Sequence, residues 1–175
     1  MVKNPFSFNG RTTRLQCGLL ICVLLFATKS TIAQSNTKTD DIRLQVLRTN
    51  HVGKTYKFNT EDNSVTHLRF LGTIHTKEGK KYKILTSIWT WGLSKRATSR
   101  ILVYTDQNKY IGNYYLTTID DVPNYIKNNK LVFLNKGRAC DPKLVTYVSF
   151  DNGVPKEFFR KCKGNDGDFF TFSSD

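Results

Sequence analysis

The chain has 175 residues, with 27 Lys and Arg against 14 Asp and Glu, four cysteines and three histidines. Its first 33 residues hold four of the basic side chains and no acidic one, so the remaining 142 carry 23 basic against 14 acidic groups, a net charge of +9. That length fits one ordinary domain with a real core rather than several, and that charge either draws the protein toward anionic surfaces or serves plain solubility.

The first element is an export signal. Lys3, Arg11 and Arg14 precede an uncharged run from Cys17 to Thr28 (CGLLICVLLFAT), and Thr31 and Ala33 place small residues three and one before Gln34. A positive segment, a short apolar segment and a small-x-small site are the three parts that a signal peptidase reads, which predicts cleavage between Ala33 and Gln34. Twelve residues are too few for a spanning helix, which needs about 20. An uncleaved anchor is the alternative, since Lys29 sits where neutral residues are usual. A lipoprotein is disfavoured, because neither Cys17 nor Cys22 follows Gly, Ala or Ser.

Within this segment NPFSFNGRTTRLQ, residues 4–16, resembles the opening of a family of small multi-pass bacterial inner-membrane proteins of unknown function. Its members begin with an Asn-Pro-Phe, Gly-Arg, Arg pattern just before their first helix. The likeness stops there, because no further hydrophobic span follows. It implies a segment retained in the membrane, not a membrane fold.

Residues 34–42 read as a polar linker, and residues 43–175 as a single β-rich domain. Arg43–Arg48 (RLQVLR) and Lys54–Asn59 (KTYKFN) alternate in polarity. Ser64–His75 alternates too, placing Leu68, Phe70 and Ile74 on one face of a half-buried strand. A turn at Thr76-Lys77-Glu78-Gly79-Lys80 predicts a hairpin with Tyr82–Trp91, and Asp106-Gln107-Asn108-Lys109 predicts a second between Ser99–Thr105 and Tyr110–Thr117. Asp120–Asn128 is the one predicted helix, a turn or two with an Asp cap and Pro123 in its first turn. Lys130–Leu134 follows an Asn-Asn turn. Asp151-Asn152-Gly153 signals a hairpin between Lys143–Phe150 and Pro155–Cys162, and Phe169–Phe172 closes the chain. Taking eight or nine of these segments as short strands gives an all-β domain, an antiparallel sandwich or small barrel of about eight strands with one short helix near residues 121–128.

Two of the four cysteines fall in the signal. Cys140 and Cys162 remain, and an even pair in an oxidising compartment reads as a disulfide. A catalytic thiol is the rival; its base would be one of His51, His67 and His75, with no local motif to support it. Zinc is not expected, because neither cysteine has further Cys or His nearby. His67 and His75 lie about 26 Å apart along one strand, too far to share a metal.

The densest feature is Trp89-Thr90-Trp91-Gly92-Leu93-Ser94-Lys95-Arg96-Ala97-Thr98-Ser99-Arg100. Two tryptophans on one face run into a loop with three cations, a combination that stacks on sugars or bases and pairs with anions. The rival is packing, with one ring in the core and the basic loop solvated. Trp91, Lys95, Arg96 and Arg100 are the candidate ligand-binding residues. Tyr110, Tyr114 and Tyr115 with Asn113 form a second aromatic group, in which Tyr110 and Tyr114 alternate with Gly112 on one face; a core stripe is the favoured reading. Lys156, Arg160, Lys161 and Lys163 form a basic run, read as an exposed edge. Asn165-Asp166-Gly167-Asp168 lacks the ligand spacing of a calcium loop.

No G-x-S-x-G, Walker loop, dinucleotide fingerprint or H-E-x-x-H occurs. The expectation is an exported binding or interaction module, in the periplasm, at the cell surface or outside the cell. No cofactor is expected. The partner is expected to be an acidic glycan, a lipid headgroup or an acidic protein, with specific nucleic-acid binding disfavoured. The alternatives are an extracytoplasmic hydrolase acting on a polymer and a lipocalin-like carrier of a small ligand.

Overall fold

The computed structural model describes residues 30–59, 63–137 and 139–174, with the side chains of its helix described from Lys38 onward. The chain divides into two compact units, Met1–Asp40 and Asp41–Asp175. The first unit, as far as it is described, is helical. The export-signal and resemblance readings fall on residues outside the described ones, apart from 30–33.

The second unit is built on ten antiparallel strands in two open sheets. The larger sheet has the order β1 (Thr55–Asn59), β2 (Val65–His75), β3 (Lys81–Trp91), β4 (Arg96–Thr105), β5 (Tyr110–Leu116), β10 (Asp166–Ser173), β9 (Glu157–Lys163). The smaller sheet is β6 (Tyr125–Lys127), β7 (Lys130–Leu134), β8 (Val145–Ser149). The β2–β3 and β4–β5 hairpins form as the turn residues predict. The result is a β-sandwich. Leu71, Ile84, Ile101, Tyr114, Leu131, Phe133, Phe150 and Phe158 fill the space between the sheets.

Among the described residues one α-helix, α1 (Ser30–Thr49), ends at Asn50, whose φ of 53° is the left-handed cap conformation. Residues 34–42, read as a linker, and Arg43–Arg48, read as a strand, both lie in it. Its buried residues explain why Arg43–Arg48 is helix and not strand. Val46 and Leu47, with Ile42 and Leu44 beside them, pack on Leu68, Phe70, Leu85, Leu102 and Tyr104 of the larger sheet's outer face. The spacings 42 to 46 and 44 to 47 are helical ones. Fully burying Val46 and Leu47 contributes about 1.5–3 kcal/mol each.

Two glycine-bearing bulges reverse the side-chain parity that simple alternation predicts. The β2–β3 register slips between Phe70 and Gly72, so Leu68 and Phe70 face the helix while Leu71 and Ile74 face the small sheet. The β4–β5 register slips beside Ile111 and Gly112, which sends Tyr110 to the helix side and Tyr114 into the core. Gly112 has φ 147°, and a side chain there would run into the Ser173 carbonyl and the Phe172 ring. A bulge of this kind adds one residue to one strand and re-aims everything after it.

The region read as a short helix over 121–128 is a single 3-10 turn (Ile119–Asp121) followed by β6. Asn128 and Asn129 both have positive φ, 48° and 59°, the conformation of a two-residue hairpin turn, and they pair Lys127 with Lys130. The Asp151-Asn152-Gly153 turn is not a hairpin either. It carries the chain from β8 in one sheet to β9 in the other, because β8 pairs with β7 and β9 with β10. Phe150 and Phe158, on either side of it, both enter the core.

Cys140 and Cys162 are joined, with sulfurs 2.04 Å apart and a sequence separation of 22. Asp141 N–H donates to the Cys162 carbonyl at 2.7 Å, and the Asn135 amide donates to the carbonyls of Asp141 and Lys161. The bridge therefore sits in a hydrogen-bonded corner. Among the described residues no helix is long and apolar enough to cross a membrane.

Candidate functional site

The candidate residues meet at the far end of the β3–β4 hairpin, on the face of the larger sheet that also carries the helix contacts. Register places them there. Trp91 is opposite Arg96, Trp89 opposite Thr98, and Ser87 opposite Arg100, which is itself opposite Tyr115 of β5. Residues directly opposite in an antiparallel pair share a face. Leu68 lies opposite Ser87 in β2, which ties this row to the helix-facing set.

Ring and cation geometry follows from that register. Trp89 and Trp91 stack with centroids 5.6 Å apart and planes 26° off parallel. The Arg96 guanidinium lies over the Trp91 ring at 5.8 Å, and that of Arg100 over the Tyr115 ring at 5.5 Å. Trp89 is 43% exposed and Tyr115 58%, while Trp91 and Arg100 are half-buried. Trp91 Nε1 and Arg100 Nε are buried without a hydrogen-bond partner among the described residues. Two N–H donors without acceptors in one patch are a feature that calls for an explanation.

Lys95 sits differently. It belongs to the loop between the strands, where its φ of 49° and the φ of 71° at Gly92 close the turn, with Lys95 N–H donating to the Gly92 carbonyl at 3.1 Å. It is exposed, as are Arg96 and the loop's Leu93. From Lys80 to Thr105 the sequence has six basic residues and no acidic one. The local field is therefore positive without an intramolecular carboxylate on these strands to quench it.

Three other sequence features resolve differently. The second aromatic group divides: Tyr114 is core, Tyr110 accepts from the Asn113 amide at 2.9 Å, and Tyr115 joins the Trp–Arg face. Tyr115 was missed as a site residue, although its parity opposite to Tyr114 was the available signal. The C-terminal basic run also divides. Arg160 is 3% exposed and pairs with Asp121 at 2.7 Å, whereas Lys161 and Lys163 are exposed. Asp121 also accepts from the Thr118 backbone and hydroxyl, so the pair pins the 3-10 turn to β9. The third feature is the histidines: His51 Nδ1 bonds the Tyr56 hydroxyl at 2.9 Å, and the His75 backbone bonds the Asn129 side chain. With Cys140 and Cys162 bridged, neither offers a thiol nucleophile.

A scan of protein-family models, the curated proteins and the solved structures finds no match to this chain.

Proposed function

We propose that the protein is an exported binding module that engages an anionic partner through Trp89, Trp91, Lys95, Arg96, Arg100 and Tyr115. The observation that carries this reading is the cross-strand pairing of Arg96 with Trp91 and of Arg100 with Tyr115 on one accessible face of strands β3, β4 and β5, whose own sequences hold no acidic residue. A guanidinium held over a ring is oriented by it and still keeps its edge N–H groups for an anion. Export accords with the bridged cysteines, which persist in oxidising compartments, and with the basic, apolar and small-residue order of the first 33 residues. A lipocalin-like carrier is less well supported, since the sheets are open and the space between them is occupied by side chains.

The test is binding to a soluble polyanion such as dextran sulfate. Replacing both Arg96 and Arg100 with Gln weakens binding roughly tenfold, one charge contact from exposed Arg96 and one from half-buried Arg100 at somewhat under about 1 kcal/mol each. Raising ionic strength weakens the wild type and narrows the difference. Equal binding by wild type and the R96Q/R100Q variant refutes the reading.

A further inference from the structure

The β3–β4 turn lies past the last ladder pairs that its strands make with β2 and β5. The last β2 pair is Val65 with Thr90, so Trp91 has no partner in β2. The first β5 pair is Leu116 with Ser99, so Arg96, Ala97 and Thr98 have none in β5. The turn therefore lies one residue past the last β2 pair, about 3 Å, and three residues past the first β5 pair, about 10 Å. At its apex stands Leu93, fully exposed.

A single exposed leucine is ordinary. Its neighbours give this one a meaning. Behind Leu93 come Lys95 and Arg96, then the stacked Trp91 and Trp89, then Arg100. An apolar tip backed by cations and tryptophans, two side-chain types that share the headgroup zone of a bilayer, matches the chemistry of a membrane surface with anionic headgroups. Two other partners fit less well. A sugar ring needs a free aromatic face, but Trp91 is already engaged by Trp89 and by Arg96. A folded acidic protein needs roughly 800 Å² of complementary surface on each side, more than one turn and the side chains behind it supply.

We infer that the anionic partner is a membrane surface, that Lys95, Arg96 and Arg100 contact its phosphate-bearing headgroups, and that Leu93 inserts among the acyl chains with Trp89 at the interface. The inference rests on the binding site proposed above and narrows it to one partner.

Trp89 and Trp91 are the chain's only tryptophans, so intrinsic emission reports on this hairpin alone, whatever the first 33 residues do. The full chain is bound to vesicles of equal parts phosphatidylglycerol and phosphatidylcholine whose acyl chains carry bromine. The expected result is a blue shift with bromine quenching of the bound protein, both absent on phosphatidylcholine alone. Leu93→Ser, at an exposed position that leaves the fold intact, weakens docking about tenfold or more, and Lys95→Gln and Arg96→Gln weaken it about fivefold each. Soluble glycerol phosphate or dextran sulfate produces no blue shift.

Unshifted, unquenched emission on anionic vesicles overturns the membrane assignment. If dextran sulfate binding then still depends on Arg96 and Arg100, the broader reading stands without it; if that dependence is absent too, both fall. Quenching that survives unchanged in Leu93→Ser overturns the insertion of Leu93. A larger emission shift with dextran sulfate than with vesicles assigns the site to an acidic glycan instead.

Discussion

Arg160→Met is the most informative single change to the fold. Arg160 Nη1 donates to Asp121 Oδ1 at 2.7 Å, and Nη2 donates to the Asp120 carbonyl at 3.3 Å. Both side chains of the pair are at most 5% exposed. Removing one partner of a buried pair leaves the other charge uncompensated, at a cost of about 3–5 kcal/mol. Asp121 keeps two bonds from Thr118, at 2.7 Å and 3.0 Å, which places the expected loss near the lower end, about 3 kcal/mol. Arg160 Nε is buried with no partner among the described residues, so the guanidinium also carries an unrecovered desolvation cost that methionine removes. The Arg160→Met/Asp121→Asn double variant should therefore lose at least about 1 kcal/mol less than the sum of the two singles. Urea denaturation followed by far-ultraviolet circular dichroism measures all three. A loss under about 1 kcal/mol for Arg160→Met, or strict additivity in the double variant, would mean that the pair is solvated and does not anchor the turn to β9.

Replacing both Cys140 and Cys162 with Ser should lower stability by about 3 kcal/mol, the loop-closure entropy of a ring this long; a loss near zero in urea denaturation would show that the corner is held by its hydrogen bonds alone. Burial pushes the Tyr114 phenol above its ordinary range. Its neutral form is favoured in the fold, so that contribution is fully present below about pH 10 and is lost as pH rises beyond it. Tyr114→Phe should remove this alkaline slope and lose about 1 kcal/mol at neutral pH with the bond to the Pro155 carbonyl; an unchanged slope contradicts the assignment. Gly112→Ala should cost about 2 kcal/mol or more, through positive φ and the clash with Phe172, and a neutral result in thermal melts would rule out the bulge.

Much of the sheet was readable, because a period of two survives wherever one strand face is buried. Trp91, Arg96 and Arg100 were found together because their separations, 91 to 96 across a short turn and 96 to 100 along a strand, are local. What alternation misses is a change of phase. Gly72 and Gly112 each mark a bulge, and past each one the sides exchange; Ile74 and Tyr110 were consequently assigned to the wrong faces. The helix was missed for a related reason. Over the six residues RLQVLR, Leu44 and Val46 mimic a strand, and Leu47, the residue that breaks the alternation, was the helical signal. The Asp151-Asn152-Gly153 turn was visible as a turn, but nothing local states whether the strands beside it pair with each other or with distant partners. Arg160 illustrates the same limit. Among Lys156, Lys161 and Lys163 it reads as surface charge, and only the fold brings Asp121, 39 residues away, against it.

Amide chemical-shift mapping of isotopically labelled protein, with phosphatidylglycerol bicelles added, tests the central claim most directly. Perturbations are expected to be confined to residues 87–100 and Tyr115 and to fade as salt is raised. Perturbations centred on β9, or on the three-stranded sheet of β6, β7 and β8, would contradict it.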